Sequence, residues 1–306
     1  MTKRRRINKK HLLIVIVVPL IVIGLIVTGI IILIPKNTDT KNEYAVTYDI
    51  DYSDIDTLDL DLHSKAYLLI RLNDFKALYG EKYNSVIYPA SLTKVLAMDT
   101  CVNRINDLED TSYVSQNQYN ELIYENASLA GLTPYKEYSI KDLLYYLVLP
   151  SGADGAVAIS NYFEIKGMNL VDEMNKRCEE LGLENSHFTN PTGLHNDNMY
   201  TTLKDLSLVY IDAIKNDVAK DILKTTYSEE YKLYSTIYPI ANRSDGITVF
   251  GGKTGFTDEA HQNIIVFYEV NNRSYILLLA GAPGNPGLGE HFHYDDVNLI
   301  LDYLYN

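Results

Sequence analysis

Apolar residues change their spacing along the chain, and the spacing predicts where strands give way to helices. Ala66 to Leu72 is mostly apolar and predicts a buried strand, and Asn73-Asp74 predicts a turn before a short return strand at Ala77 to Gly80. From Ser91 to about Thr225 the apolar positions recur at helical spacing. The clearest helical runs are 140–149, 155–163, 169–181 and 203–215, the last capped by Thr202.

Strand signals return in the last third of the chain. Strands are predicted at 231–240, 247–256, 263–270 and 274–280, with Asn271-Asn272 as a tight hairpin turn, and 295–305 predicts an amphipathic helix. Strands, a helical block, more strands and a final helix together indicate an α+β fold. We expect the N-terminal hairpin to join the later strands in one antiparallel sheet, with a cleft between that sheet and the helical block.

The first third of the chain contains a different kind of segment. Leu12 to Pro35 is almost unbroken apolar sequence, long enough to cross a bilayer as a helix. Basic residues precede it. By the positive-inside rule they place the N-terminus in the cytoplasm, so the rest of the chain is expected to lie on the outer side of the cell membrane. No small-residue cleavage site follows, so an uncleaved anchor is favoured over a signal peptide. The predicted segments are a cytoplasmic tail (1–11), a transmembrane anchor (12–35), an acidic linker (36–62) and a folded domain (63–306).

Charge and composition exclude several classes of function. The net charge is -13 and six positive charges lie in the first ten residues, so the remainder repels nucleic acid. No C-x-x-C pair occurs, and His291 and His293 lack an evident third ligand, so we predict neither a metal nor a cofactor. Cys101 and Cys178 lie among apolar neighbours and are predicted to be buried free thiols.

Three short stretches carry the candidate chemistry. Ser91 and Lys94 are three residues apart where a helix begins, so both side chains lie on one side of its first turn. A neutral lysine there can take the proton of the serine hydroxyl, and the helix N-terminus offers N–H groups to an oxyanion. Ser151 follows on a turn between two helical runs, which we expect to expose it. Lys253-Thr254-Gly255 lies on a glycine-rich strand, where an ammonium and a hydroxyl can bind a carboxylate.

The order and flanks of these stretches resemble a known family. Ser-x-x-Lys, a serine-bearing turn and Lys-Thr-Gly, in this order, are similar to the D-alanyl-D-alanine carboxypeptidases of the serine penicillin-binding protein superfamily. The likeness runs from about Ala66 to the C-terminus and implies a β-lactamase/transpeptidase-like antiparallel sheet flanked by a helical subdomain. The matching segments are 89–94, 149–152, 190–194 and 253–258.

The resemblance implies a catalytic role for three side chains. Ser91 attacks the terminal D-alanyl peptide bond of a peptidoglycan stem peptide and forms an acyl-enzyme. Lys94 accepts the serine proton, and Ser151 relays a proton towards the leaving amine. Water then releases the shortened peptide, and β-lactams are expected to acylate the same serine as covalent inhibitors.

The third stretch is implied to bind substrate. Lys253 and Thr254 hold the terminal carboxylate of a substrate ending in D-Ala-D-Ala, and Lys253 also helps to keep Lys94 neutral. Gly255 allows the strand to approach closely. The backbone N–H groups of Ser91 and Phe256 form the oxyanion hole.

The second motif departs from the family. The pattern is serine, any residue, asparagine, and Ala153 stands in the asparagine position. A methyl group can neither donate nor accept a hydrogen bond, so a weakened or non-catalytic member that only binds penicillin or peptidoglycan remains an alternative. A β-lactamase is a further alternative, although no convincing deacylating glutamate follows the second motif.

Overall fold

The computed structural model describes residues 48–305. The predicted cytoplasmic tail and the anchor at 12–35 lie outside the described residues. Within 48–305, no helix is both long enough and apolar enough to cross a bilayer.

Strands and helices occur in the α+β order that the sequence predicts. The strands are β1 (Ala66–Arg71), β2 (Lys76–Glu81), β3 (Thr111–Ser112), β4 (Tyr138–Ser139), β5 (Tyr227–Ser228), β6 (Leu233–Tyr234), β7 (Thr248–Thr257), β8 (His261–Val270) and β9 (Arg273–Ala282). The helices are α1 (Thr93–Arg104), α2 (Gln116–Tyr124), α3 (Ile140–Val148), α4 (Ala153–Ile165), α5 (Leu170–Glu180), α6 (Leu203–Ala213), α7 (Asp217–Lys224), α8 (Tyr238–Ala241) and α9 (Phe292–Tyr305). Thr202 caps α6 as predicted, because its side chain accepts a hydrogen bond from the Asp205 N–H.

One antiparallel sheet joins the N-terminal hairpin to the C-terminal strands, in the order β2-β1-β9-β8-β7. Successive side chains of a strand point to opposite faces, so Leu68 and Ile70 pack with the helical block while Tyr67 and Leu69 pack on the side of α9. Both faces are therefore covered, which explains why the central strands are almost continuously apolar in sequence. β7 is an edge strand, and its outer edge borders the cleft.

A buried ion-pair group holds three helices of the block together. Arg177 on α5 donates to Asp99 on α1 (Nε to Oδ2, 2.8 Å), to Asp212 on α6, and to Glu180 (Nη1 to Oε2, 2.9 Å). Asp99 and Arg177 are both almost fully buried, so each charge depends on the other for compensation.

Two predictions about strands and linker differ from the structure. The strand predicted at 231–240 is wrong, because only β6 pairs there and the chain then turns into α8. The later part of the predicted linker packs on the sheet, since the Asp51 N–H donates to Phe75 O (2.9 Å) and the Asp56 N–H to Leu78 O (3.0 Å). The prediction for the cysteines is confirmed: both are free and buried.

Candidate active site

Ser91 and Lys94 lie where the chain leaves the sheet and enters the helical block. Ser91 is in a single 3₁₀ turn, Ala90–Leu92, and α1 begins two residues later than the predicted helix start. Lys94 Nζ donates to Ser91 Oγ (2.9 Å) and to the backbone carbonyl of Thr192. Burial lowers the pKa of Lys94 to about 7, although the Asp154 carboxylate opposes that shift. A large fraction of Lys94 is thus neutral near pH 7 and can accept the hydroxyl proton.

The turn at 190–194 fixes the second partner of Lys94. Asn190 Oδ1 accepts from the Gly193 N–H and from Thr192 Oγ (both 2.8 Å), and its amide donates to Leu194 O (3.0 Å). Gly193 has φ +77°, and a Cβ there would lie 2.2 Å from Ala90 O, so only glycine fits. In the sequence, this segment is recognisable only by its resemblance to the family. Its structural role is to hold the Thr192 carbonyl against the lysine.

Ser151 lies on the predicted turn, but it is buried rather than exposed. Only 5% of its surface is accessible, and its backbone is in the left-handed region at φ +65°. Its hydroxyl has no hydrogen-bond partner among residues 48–305 and borders the same cavity as Ser91. An unpaired buried hydroxyl is costly, so this group is available to a bound substrate.

Ala153 and Asp154 follow at the start of α4, and neither lines the cleft. Ala153 is 1% exposed. The Asp154 carboxylate accepts from the backbone N–H groups of Ala130 (2.8 Å), Gly131 (2.9 Å) and Leu132 (2.9 Å). Asp154 therefore braces the loop after α2 and does not replace the missing asparagine in the cleft.

Lys253 lies under the cleft floor. It is fully buried, and its Nζ donates to Thr254 O (2.8 Å). Burial, with a further contribution from Lys94, holds the pKa of Lys253 well below its ordinary value. Thr254 is half-buried and lines the cavity, and Lys253 does not, so Thr254 is the hydroxyl-bearing residue of this motif that borders the cleft.

The edge of β7 approaches Ser91 closely. A Cβ on Gly255 would lie 2.9 Å from Pro89 O and 3.1 Å from Ser91 N, so the absence of a side chain permits the approach. The Thr254 N–H donates away from β8, to Thr236 Oγ (3.2 Å). The N–H groups of every second residue in a strand point to the same edge. The Phe256 N–H, two residues after that of Thr254, therefore also points towards the cleft. With the Ser91 N–H it can form an oxyanion hole.

Asn263 on β8 is a supporting residue that sequence reasoning missed. It is fully buried, its amide donates to Tyr88 O (2.9 Å), and its Oδ1 accepts from the Gly281 N–H (3.0 Å). It ties the segment before Ser91 to the sheet. An asparagine inside an apolar strand was the only available signal.

Thr236 closes one end of the cleft. Besides accepting from Thr254, it donates its N–H to Leu149 O (3.1 Å) at the end of α3 and accepts from the Tyr294 hydroxyl on α9. The cavity between these walls has a volume of about 470 Å³. Within residues 48–305, no three histidine, cysteine or acidic side chains are grouped to hold a metal ion.

Comparison with known proteins agrees with this geometry. The family model for D-alanyl-D-alanine carboxypeptidase, peptidase S11, matches residues 54–284. D-alanyl-D-alanine carboxypeptidase DacF of Bacillus subtilis is 27% identical over 242 residues, covering 74% of this chain and 59% of the relative. DacA of Haemophilus influenzae is 28% identical over 241 residues, covering 73% and 58%. The chain thus spans about three-fifths of the length of these relatives.

Solved structures support the fold. The Streptomyces K15 DD-transpeptidase matches with a TM-score of 0.70 at 20% identity, covering 81% of this chain and 98% of that one. A D-alanyl-D-alanine carboxypeptidase of Mycobacterium tuberculosis matches with a TM-score of 0.65 at 21% identity, covering 84% and 96%. The penicillin-binding, transpeptidase-like α+β fold predicted from the sequence is therefore confirmed. Since the family model covers most of residues 48–305 and the motif residues meet in one cleft, the chain belongs to the D-alanyl-D-alanine carboxypeptidase family, peptidase S11.

Proposed function

We propose that the protein is a serine-type carboxypeptidase that removes the terminal D-alanine from peptidoglycan stem peptides ending in D-Ala-D-Ala. The observation that carries this proposal is the 2.9 Å contact between Lys94 Nζ and Ser91 Oγ, made by a buried lysine with a pKa of about 7. A nucleophile and a base that is partly neutral at working pH are the essential parts of acyl transfer.

The positions of these groups support an acylation step. Lys94 takes the hydroxyl proton as Ser91 Oγ attacks the carbonyl carbon of the penultimate residue, and the N–H groups of Ser91 and Phe256 stabilise the oxyanion. The tetrahedral intermediate collapses by breaking the C–N bond. The leaving amine of D-alanine takes a proton, relayed from Lys94 through the Ser151 hydroxyl. The terminal carboxylate binds the Thr254 hydroxyl above the buried Lys253.

Deacylation repeats these steps with water in place of the amine. Water loses a proton to Lys94, attacks the acyl carbon, and displaces Ser91 Oγ, which recovers the proton. The products are the shortened peptide and free enzyme. A β-lactam has an amide in the corresponding position, so it is expected to acylate Ser91 and to remain attached as an inhibitor.

Two measurements on the purified protein test this proposal. D-alanine release from a peptide ending in D-Ala-D-Ala should be detectable in the wild type and absent in Ser91→Ala. Incubation with benzylpenicillin should add the mass of one drug molecule to the wild type alone. Folded wild-type protein that releases no D-alanine would overturn the carboxypeptidase proposal.

A second function is favoured by Ala153. A member lacking one polar group in the cleft can be acylated without efficient turnover and so act by binding peptidoglycan or penicillin. A lasting drug adduct without D-alanine release supports this alternative. Rapid hydrolysis of the drug without an adduct would instead support a β-lactamase.

We further propose that the protein acts outside the cell, held at the membrane by residues 12–35 with its N-terminus in the cytoplasm. Support comes from the apolar run and the basic residues before it. Alkaline carbonate should leave the full chain in the membrane fraction and release a variant lacking 12–35. Protease added to spheroplasts should digest the folded domain, and a protected domain would contradict this orientation.

A further inference from the structure

The cleft wall opposite β7 is formed by the loop after α2 and by the turn before α4. Asn126, Ser128, Pro150 and Ser151 border the cavity on this side. Asn126 is exposed, and its side-chain amide makes no hydrogen bond within residues 48–305. A polar side chain without a protein partner, facing the cavity that contains the nucleophile, is available to a ligand.

The loop that carries Asn126 is held in place from below. Asp154 accepts three hydrogen bonds from the backbone of 130–132, and the Ala153 N–H donates to Ser128 O (2.7 Å). A Cβ on Gly152 would lie 2.6 Å from the Ala130 side chain, so the loop packs tightly against the second motif. The backbone of Asn126 is therefore positioned before any ligand arrives, and only its side-chain rotamer has to be ordered on binding.

The local backbone supplies a simpler explanation for an asparagine at this position. The Ala127 N–H donates to Leu122 O (2.9 Å) and the Asn126 N–H to Ile123 O (3.1 Å), with Asn126 at φ +53°. This is a Schellman ending of α2, in which the left-handed position prefers glycine and accepts asparagine second. Helix capping thus explains the left-handed backbone of Asn126, but it does not require the side-chain amide of that residue.

The chemistry of an extended peptide gives the amide a role. A peptide that lies along the cleft edge of β7 leaves its other edge, with further N–H and C=O groups, facing the opposite wall. On that wall Pro150 has no donor, Ala153 has only a methyl group beneath the loop, and the Ser151 hydroxyl is engaged in proton transfer. Ser128 also borders the cavity, but its hydroxyl is a single polar atom and cannot pair with the N–H and the C=O of a peptide through two separate atoms. Asn126 offers one donor group and one acceptor in the geometry that pairs with a peptide unit.

We propose that the side-chain amide of Asn126 is a substrate-binding group that hydrogen-bonds the backbone of the stem peptide from the wall opposite β7. This proposal rests on the proposed carboxypeptidase function. It assigns to the loop after α2 the polar contact that Ala153 cannot make.

The test exploits the difference between capping and binding. Asn126→Gly removes the amide and places the preferred residue at the left-handed position, so the melting temperature should stay the same or rise. The value of kcat/KM for D-alanine release should fall by at least about tenfold. Asn272→Gly is the matched control, because Asn272 is also exposed at a positive φ (+57°) but lies in the β8–β9 turn, which does not border the cleft.

Asn126→Asp separates the two halves of the amide, since it keeps an acceptor and loses the donor. A fall in kcat/KM similar to that of Asn126→Gly identifies the donor as the important half, and wild-type behaviour assigns the contact to the acceptor. Wild-type kcat/KM in Asn126→Gly would overturn this inference and leave helix capping as the role. Absence of D-alanine release in the wild type would instead refute the proposed function.

Discussion

Acylation of Ser91 should be controlled by the protonation of Lys94. With a pKa of about 7, the amine is about nine-tenths neutral at pH 8, half neutral at pH 7 and one-tenth neutral at pH 6. Only the neutral form can accept the hydroxyl proton, so the second-order rate constant for acylation by benzylpenicillin should be about tenfold higher at pH 8 than at pH 6. Quenched-flow intact mass spectrometry between pH 5 and pH 8.5 measures this rate directly.

Two variants test the assignment of the titrating group. Lys94→Arg keeps a cation that does not titrate in this range, so acylation should be very slow at every pH. In Asp154→Asn the carboxylate that raises the pKa of Lys94 is lost, so the half-maximal rate should move to lower pH. A rate independent of pH between 5 and 8, or a midpoint that moves upward in Asp154→Asn, would refute the reasoning.

Three further predictions concern packing and charge. Gly255→Ala places a methyl group about 3.1 Å from Ser91 N, and the acylation rate should fall at least about 100-fold in folded protein; an unchanged rate would show that the close approach of β7 is unnecessary. Arg177→Ala leaves Asp99 buried without its partner and should lower the urea-derived free energy of unfolding by about 3–5 kcal/mol, whereas a loss under 1 kcal/mol would contradict the described pairing. The pKa of Lys94 is lower in the folded protein than in the unfolded chain. Above pH 7 the unfolded chain therefore binds one proton more than the folded protein. Wild-type stability should therefore gain about 1.4 kcal/mol per pH unit from pH 7 towards 10 relative to Lys94→Met, and equal slopes for the two proteins would exclude the shift.

The sequence predicts the geometry of this candidate site where the contact is local. Ser91 and Lys94 share one turn of backbone, so their spacing alone predicts the contact, and three ordered motifs identify the cleft walls. Thr192 and Asn263 could not be found in this way, since their roles depend on contacts with residues 98 and 175 positions away in sequence. Such pairings exist only after the sheet and the helical block have packed.

The mistaken strand at 231–240 has a related cause. Its tyrosines and branched residues favour β-structure in general, but here the Tyr231 ring stacks on Tyr145 and its hydroxyl donates to Asp142 (2.7 Å). Other tyrosines of this acidic protein also donate to carboxylates, as in Tyr145 to Asp221 (2.6 Å) and Tyr162 to Asp110 (2.8 Å). The abundance of tyrosine therefore has a structural use, which composition alone does not indicate.

The hydrogen bonds of Thr236 limit how far the cleft can widen to admit a ligand. Its backbone and hydroxyl bind the edge of β7, the end of α3 and the side chain of Tyr294 at once. The sheet and the helical block cannot swing apart as rigid bodies at this end without breaking these bonds, which costs about 0.5–1.5 kcal/mol for each bond broken. The bonds therefore favour the slot width of the structure, and a ligand that needs a wider slot binds more weakly in proportion to the fraction of molecules that are open. Peptides that fit the existing width are accordingly preferred over bulkier ones.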